Sequence, residues 1–252
     1  MRTSCALTLA ATLVAPTLLL SCAHREVSPV ALAADSPDRT PEDQALDVGR
    51  KPEAFLSFVD VKPGMKVAEL VAGGGYTTEL LARAVGPKGV VYGQNPKLVL
   101  EKFAEKPWRA RLSRAVNRSV IRLDRELNSP FPEALTDLDR VVSNIVYHDA
   151  VWQGVDRQKM NAAVFRALKS GGRYVICDSS AKPGSGPEVT QTLHRIDEQW
   201  VRDEVSAAGF TLKEEGDFLR NPQDPRDWNS APTAAGAKRG TSDRFCLSFE
   251  KP

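Results

Sequence analysis

The chain has 252 residues, with 34 Lys and Arg against 32 Asp and Glu and a formal charge of +2. That length suits one large α/β domain with a substantial core. The balanced charge, with no long Lys/Arg block, argues against a nucleic-acid partner, and an aromatic content of 7% argues against an aromatic binding platform.

The N-terminus is different in kind. Arg2 supplies a thin positive region, and residues 6–20 are apolar apart from Thr8, Thr12, Thr17 and Pro16. A membrane-spanning helix needs about 18 or more apolar residues, and this run is shorter. Leu19-Leu20-Ser21-Cys22 follows and resembles the lipobox of bacterial lipoproteins. That resemblance implies a signal peptide over residues 1–22, a lipidated Cys22, and a protein anchored in the cell envelope facing the periplasm. The alternative is ordinary secretory cleavage after Ala33, giving a soluble secreted or periplasmic protein. Residues 23–44, polar and rich in Ala, Asp and Pro, read as a tether or loosely packed arm. The folded domain is expected over residues 45–252.

Within it, residues 52–59 read as a short helix and Pro63-Gly64 as a turn. An apolar run at 67–71 reads as a buried strand, followed at once by Gly73, Gly74 and Gly75. Helical spacing of Leu80, Leu81, Ala84 and Val85 predicts a helix over 76–85, ended by Gly86. A second strand follows at 90–92. Strand, glycine turn, helix, strand is the unit that cradles nucleotide-like cofactors.

Further helices are expected at 97–103 and 108–116, and strands at 119–123 and within 138–147. Asp156 can cap a helix carrying Met160, Val164, Ala167 and Leu168, closed by Lys169-Ser170-Gly171-Gly172 before a strand at 174–177. One apolar stripe covers 189–208, with Asp197 as the cap of a shorter helix in the alternative reading. Strands at 210–213 and 244–249 flank a long loop, 219–242, of a length usually functional or disordered. Alternating strands and helices demand a mostly parallel sheet covered on both faces. The last two strands have no helix between them, so the final one is expected to run antiparallel.

Pro63-Gly64-Met65-Lys66-Val67, the turn from Glu69 to Gly75, Leu168-Lys169-Ser170-Gly171-Gly172 and Ala208-Gly209-Phe210 together resemble the class I S-adenosylmethionine (SAM)-dependent methyltransferases. His194-Arg195-Ile196-Asp197 and Leu219-Arg220-Asn221-Pro222 resemble a narrower family of predicted exported methyltransferases. The resemblance implies a single Rossmann-like domain. Its seven-stranded sheet would have order 3-2-1-4-5-7-6, strand 7 antiparallel, with helices on both faces. Cys177 and Cys246 would then lie on adjacent strands, where a disulfide becomes possible; taken alone, each reads as a small buried hydrophobe.

The same resemblance assigns the cofactor site. Glu69 matches the acid of the glycine turn, and Gly73 and Gly75 match two of its glycines, with Ala72 and Gly74 between them; Val71 replaces the first glycine. Asn95 stands where an acid after the second strand holds the ribose hydroxyls. It lacks the charge-assisted bonds a carboxylate would make. Asp124 is placed to meet the adenine amino group or to sit in a surface turn. Asn144, Tyr147, His148 and Asp149 fall at the carboxyl end of the fourth strand, where ligands of such sheets bind. His148 is the candidate general base with Asp149 orienting it, or the pair braces a loop. His194 is a second candidate or a helix-surface histidine, and Arg195 and Asp197 could pair or close a lid. The spacing of the two histidines gives no catalytic metal, although His148, Asp149 and Asp178 form a set to test. These features imply a SAM-dependent methyltransferase with an unidentified small or medium acceptor. Val71 and Asn95 leave open a methyltransferase-like module that holds another ligand or a partner in the same cleft. A nicotinamide dehydrogenase fits less well, because the glycine spacing is short and no acid follows the second strand.

Overall fold

The computed structural model describes residues 28–252; Cys22 and the proposed leader lie outside the described residues. Three short helices come first, α1 (Pro29–Ala34), α2 (Pro41–Arg50) and α3 (Pro52–Val59). Each begins with a proline, whose missing N–H is harmless in a first turn. The Ser28 and Thr40 hydroxyls accept from the N–H groups of Ala31 and Asp43 and so cap the first two.

The sheet and its covering helices follow in alternation: β1 (Lys66–Leu70), α4 (Tyr76–Val85) and β2 (Val90–Asn95). Then α5 (Lys97–Val99) passes through a π-helical turn (Leu100–Ala104) into α6 (Glu105–Leu112), ahead of β3 (Val120–Asp124) and β4 (Leu138–Asn144). The second half holds α7 (Tyr147–Trp152), α8 (Arg157–Ala167), β5 (Leu168–Ser179), α9 (Thr190–Leu193), α10 (Glu198–Ala207), β6 (Thr211–Gly216) and β7 (Arg244–Glu250). The strand order is 3-2-1-4-5-7-6, with β7 antiparallel to both neighbours and the remaining pairs parallel. This is the sheet that the methyltransferase resemblance implies.

A buried cluster lies on each face. On one, Phe55, Leu56, Leu80, Leu81 and Val85 pack α3 and α4 against β1 and β2. On the other, Met160, Val164, Val201, Val205 and Phe210 pack α8 and α10 against β4, β5 and β7. Cys177 and Cys246 are opposed in the β5–β7 ladder and form a buried disulfide.

Three expectations change. Residues 29–44, read as a loose arm, include α1 and the start of α2 and are packed, with Ala33, Ala34, Arg39 and Asp43 buried. The charged residues that made the segment look solvent-bound are spent on ion pairs: Arg111 with Asp43 at 2.6 Å, Arg83 with Asp38 at 2.8 Å, and Arg39 with Asp47 at 2.7 Å. Composition cannot distinguish a hydrated arm from one clamped by arginines of α4 and α6. The two helices expected at 97–103 and 108–116 are one continuous helical run from α5 to α6. The stripe over 189–208 breaks at His194, which sits left-handed at φ 49° after α9. Asp197 then caps α10 by accepting from the N–H of Gln199.

Candidate active site

The turn after β1 is bound to β2 by side chains. Asn95 is fully buried; its Oδ1 accepts from the N–H of Gly73 at 2.8 Å and its Nδ2 donates to the Gly73 carbonyl at 3.1 Å. Gln94 does the same one residue earlier, accepting from the N–H of Val71 and donating to the Arg125 carbonyl. Both amide groups are therefore committed to holding the turn. The expectation that Asn95 substitutes for a ribose-binding acid gives way to a scaffolding role, because a neutral amide can satisfy the donor and the acceptor of one residue, Gly73, at once. Asp124 is exposed and paired with Arg122 at 2.7 Å. Gly73 has φ +56° and open space where a Cβ would stand, whereas a Cβ on Gly75 would lie 2.4 Å from the Trp108 ring. Gly73 thus keeps the mouth of the turn open, and Gly75 lets α6 pack behind it. Gly74 lies against Pro107, and Ala72 is buried with its N–H donated to the Gln94 carbonyl.

Glu69 is buried beneath this turn and accepts from the Thr78 hydroxyl. Burial pushes its carboxyl up to about 7, against the opposing pull of Thr78 and Thr77. Val71, at the place of the family's first glycine, has φ 52°, and Ile145, just past β4, has φ 63°. β-branched residues rarely enter that region, and such strain tends to collect at functional sites. Asn144, next to Ile145, donates from its Nδ2 to Thr77 Oγ1 at 3.2 Å, tying the end of β4 to the start of α4.

Beyond the ends of β4 and β5, three predicted side chains meet. His148 Nε2 lies 3.2 Å from His194 Nδ1 and 3.2 Å from Asp149 Oδ1, and His194 Nδ1 lies 3.4 Å from Asp149 Oδ1. Asp178 supports them from β5. It is fully buried, its Oδ1 lies 2.7 Å from His148 Nδ1, and its Oδ2 accepts from the His148 N–H. The Trp152 indole donates to Asp149 at 2.8 Å. Burial lowers the His148 pKa, but the Asp178 and Asp149 carboxylates outweigh it and push the imidazole up to about 10. Burial acts to raise the Asp149 pKa, yet hydrogen bonds from His148, His194 and Trp152 hold it well below the usual carboxylate range. The two carboxylates thus favour the charged form of His148 over the neutral ring that a general base must present, so long as no other cation occupies the cluster.

The remaining candidates divide. Tyr147 is buried, and its hydroxyl lies between Asn161 Nδ2 at 2.9 Å and Glu204 Oε2 at 3.1 Å, on the α8–α10 side of the sheet. It belongs to the core and leaves the catalytic set. Arg195 pairs with Asp224 at 2.8 Å, not with Asp197, and both are fully buried. The Arg195 guanidinium also stacks 4.6 Å from the Trp228 ring, and Ser230 donates to the His194 carbonyl. The long loop between β6 and β7 thus holds His194 in place.

The model of the protein-L-isoaspartate(D-aspartate) O-methyltransferase family matches residues 35–200. The chain belongs to that family. The fold is shared with a SAM-dependent methyltransferase from Aquifex aeolicus (18% identity, TM-score 0.59, covering 84% of this chain and 94% of that one). It is also shared with the complex of the Haloferax volcanii Trm112 methyltransferase activator and its putative methyltransferase (17% identity, TM-score 0.58, covering 89% and 97%). Aeropyrum pernix fibrillarin, solved with natively bound SAM, is similar at 13% identity and a TM-score of 0.52, over 81% of this chain and 76% of that one. The chain is a SAM-dependent methyltransferase.

This methyltransferase fits its cofactor unevenly. The open backbone at Gly73 and the adjoining Gly74 suit a ligand lying across the turn, and Asn144 leads from there toward the histidines. Asn95, where the resemblance implies a ribose-binding carboxylate, is an amide that braces the turn. Asp178 was legible only as one member of a metal set to test, not as the support of His148, because it reads as part of a buried strand; its signal was an acid interrupting the apolar run of β5 at its carboxyl end. Trp152 carried no signal in the sequence.

Proposed function

We propose that this methyltransferase works in the cell envelope, anchored through a lipidated Cys22, and that it methylates a small or medium acceptor seated against His194. Bound SAM supplies an activated methyl group. Asn144 and the glycine turn fix the cofactor's approach. His194 has the most accessible ring of the cluster, so it is the one an acceptor touches, and His148 and Asp149 hold that ring still. Aligning acceptor and methyl for in-line displacement is worth more than any single contact. The observation that carries this reading is the meeting of His148, Asp149 and His194 beyond β4 and β5. The buried Cys177–Cys246 disulfide supports an oxidising compartment, in keeping with the narrower exported family.

Transfer of labelled methyl from SAM to an envelope extract tests the acceptor end. His194→Ala is expected to keep SAM binding in calorimetry and to lose transfer at least tenfold. Full transfer by that variant would move the acceptor elsewhere. Palmitate labelling of the expressed chain tests the anchor; labelling that survives Cys22→Ala would refute it.

A further inference from the structure

The spacing of the acceptor-end cluster asks for more than hydrogen bonds. Three potential ligand atoms, His148 Nε2, His194 Nδ1 and Asp149 Oδ1, form a nearly equilateral triangle with sides of 3.2, 3.2 and 3.4 Å. Ligands placed about 2.0–2.1 Å from a tetrahedral zinc-class ion lie about 3.3–3.4 Å apart, whereas cis ligands of an octahedral ion at the same distance lie nearer about 2.9 Å. The triangle has the tetrahedral size without any side chain having to move.

A second observation concerns orientation. A ring nitrogen used by a metal requires its partner nitrogen to be held, commonly by a carboxylate. Asp178 Oδ1 does this at His148 Nδ1 from a fully buried position, and the same carboxylate accepts from the His148 and Ser179 N–H groups. A metal ion at Nε2 would displace the proton held there, while the Nδ1 proton stays on the Asp178 side and the Nε2 lone pair is directed into the triangle. His194 is presented by a left-handed backbone at φ 49°, anchored through its carbonyl to Ser230. Asp149 is steadied by the Trp152 indole. Each proposed ligand thus has its own support. His148 is buried, while the side chains of His194 and Asp149 remain 26% and 27% exposed, so one side of the triangle faces solvent. Three protein ligands with an open fourth position is the layout of a catalytic site, not of a closed structural one.

We propose that His148, Asp149 and His194 bind one divalent transition-metal ion of the zinc class, with Asp178 orienting His148. The open position lies where the acceptor is expected, so the ion would take an acceptor with an ionisable oxygen or sulfur and favour its deprotonated form. Sequence spacing hides this set, because the histidines are 46 residues apart and are joined only by the fold. The inference rests on the acceptor-end reading above for the ion's use, but not for its binding.

The test uses the purified full chain, freed of metal by chelation and titrated with zinc by calorimetry, then with cobalt as a spectroscopic probe. One equivalent of zinc should bind, and cobalt should give the intense visible bands of a tetrahedral site. His194→Ala should weaken zinc at least 100-fold. Asp178→Asn, which removes only the orienting carboxylate, should weaken it about 10–100-fold. Thermal unfolding and SAM binding of each variant confirm that the fold is kept. Absence of stoichiometric zinc binding by the wild-type chain, or zinc binding unchanged in a folded His194→Ala, overturns the proposal. SAM binding by the chelated protein is read separately: its failure would strike the methyltransferase account and leave the metal result standing.

Discussion

The cofactor turn comes from one run of chain, Glu69 to Tyr76, braced by Gln94 and Asn95 on the adjoining strand. The acceptor end gathers His148 and Asp149 after β4, Asp178 on β5 and His194 after α9, and relies on a loop beyond β6 to hold them. The first is local and held by side-chain bonds from the adjoining strand to its backbone. The second is assembled at long range and depends on buried ion pairs. A turn whose own backbone must come close to a cofactor can be specified by glycines in sequence. A cluster that must meet an acceptor needs side chains from several elements, and so depends on tertiary anchors.

Breaking an anchor should therefore hurt the acceptor end most. Arg195 and Asp224 are both fully buried, and removing one member of such a pair leaves an uncompensated charge, at about 3–5 kcal/mol. Arg195→Met is expected to lose that much stability in urea unfolding. A loss below about 1 kcal/mol would show that the loop does not depend on this pair.

At the cofactor turn, Glu69 gives a pH signature. Burial raises its folded pKa from 4.5 to about 7. Between those values the folded state keeps a proton that the unfolded state has lost, so this group's contribution to stability falls as pH rises from about 4.5 to about 7, by about 3 kcal/mol in all. It is level below and above that window. Glu69→Gln should remove this slope relative to wild type in urea midpoints at pH 5 and pH 7.5. An unchanged slope would mean that Glu69 is ionised throughout.

Gly73 faces open space at a positive φ, so Gly73→Val both strains the turn and fills its mouth. SAM affinity should drop at least 100-fold, about 2.7 kcal/mol, in calorimetry. Retained affinity would place the cofactor away from this turn. The smallest effect expected is at Val71. Returning the family's glycine relieves a left-handed β-branched residue, and Val71→Gly should gain about 1 kcal/mol after the glycine's own entropy cost. A loss of stability would mean that Val71's packing outweighs its strain.

The same contrast explains what could be read from the chain. The strands, the antiparallel last strand and the glycine turn were legible because their signals are contiguous: apolar runs, Gly73 to Gly75, and Gly86 after a helical stripe; the strand order was implied only by the resemblance to the methyltransferases. The convergence of His148, Asp149 and His194 was legible only as separate candidates. The role of Asn95 was misread because an amide at that position looks like a weakened acid until its two bonds to Gly73 are seen. Tyr147 was misplaced for a related reason: adjacent residues of a helix point about 100° apart, and the sequence does not say which direction meets the cleft. Residues 29–44 looked hydrated because their arginine partners lie far along the chain.

The central claim is that the glycine turn and the histidine–aspartate cluster are two ends of one methyl-transfer site. A crystal structure of the protein with SAM bound tests it most directly. The account predicts a cofactor lying across Gly73 and Gly74 with its methyl group directed past Asn144 toward His194. A cofactor seated elsewhere, or one whose methyl points away from the histidines, would contradict it.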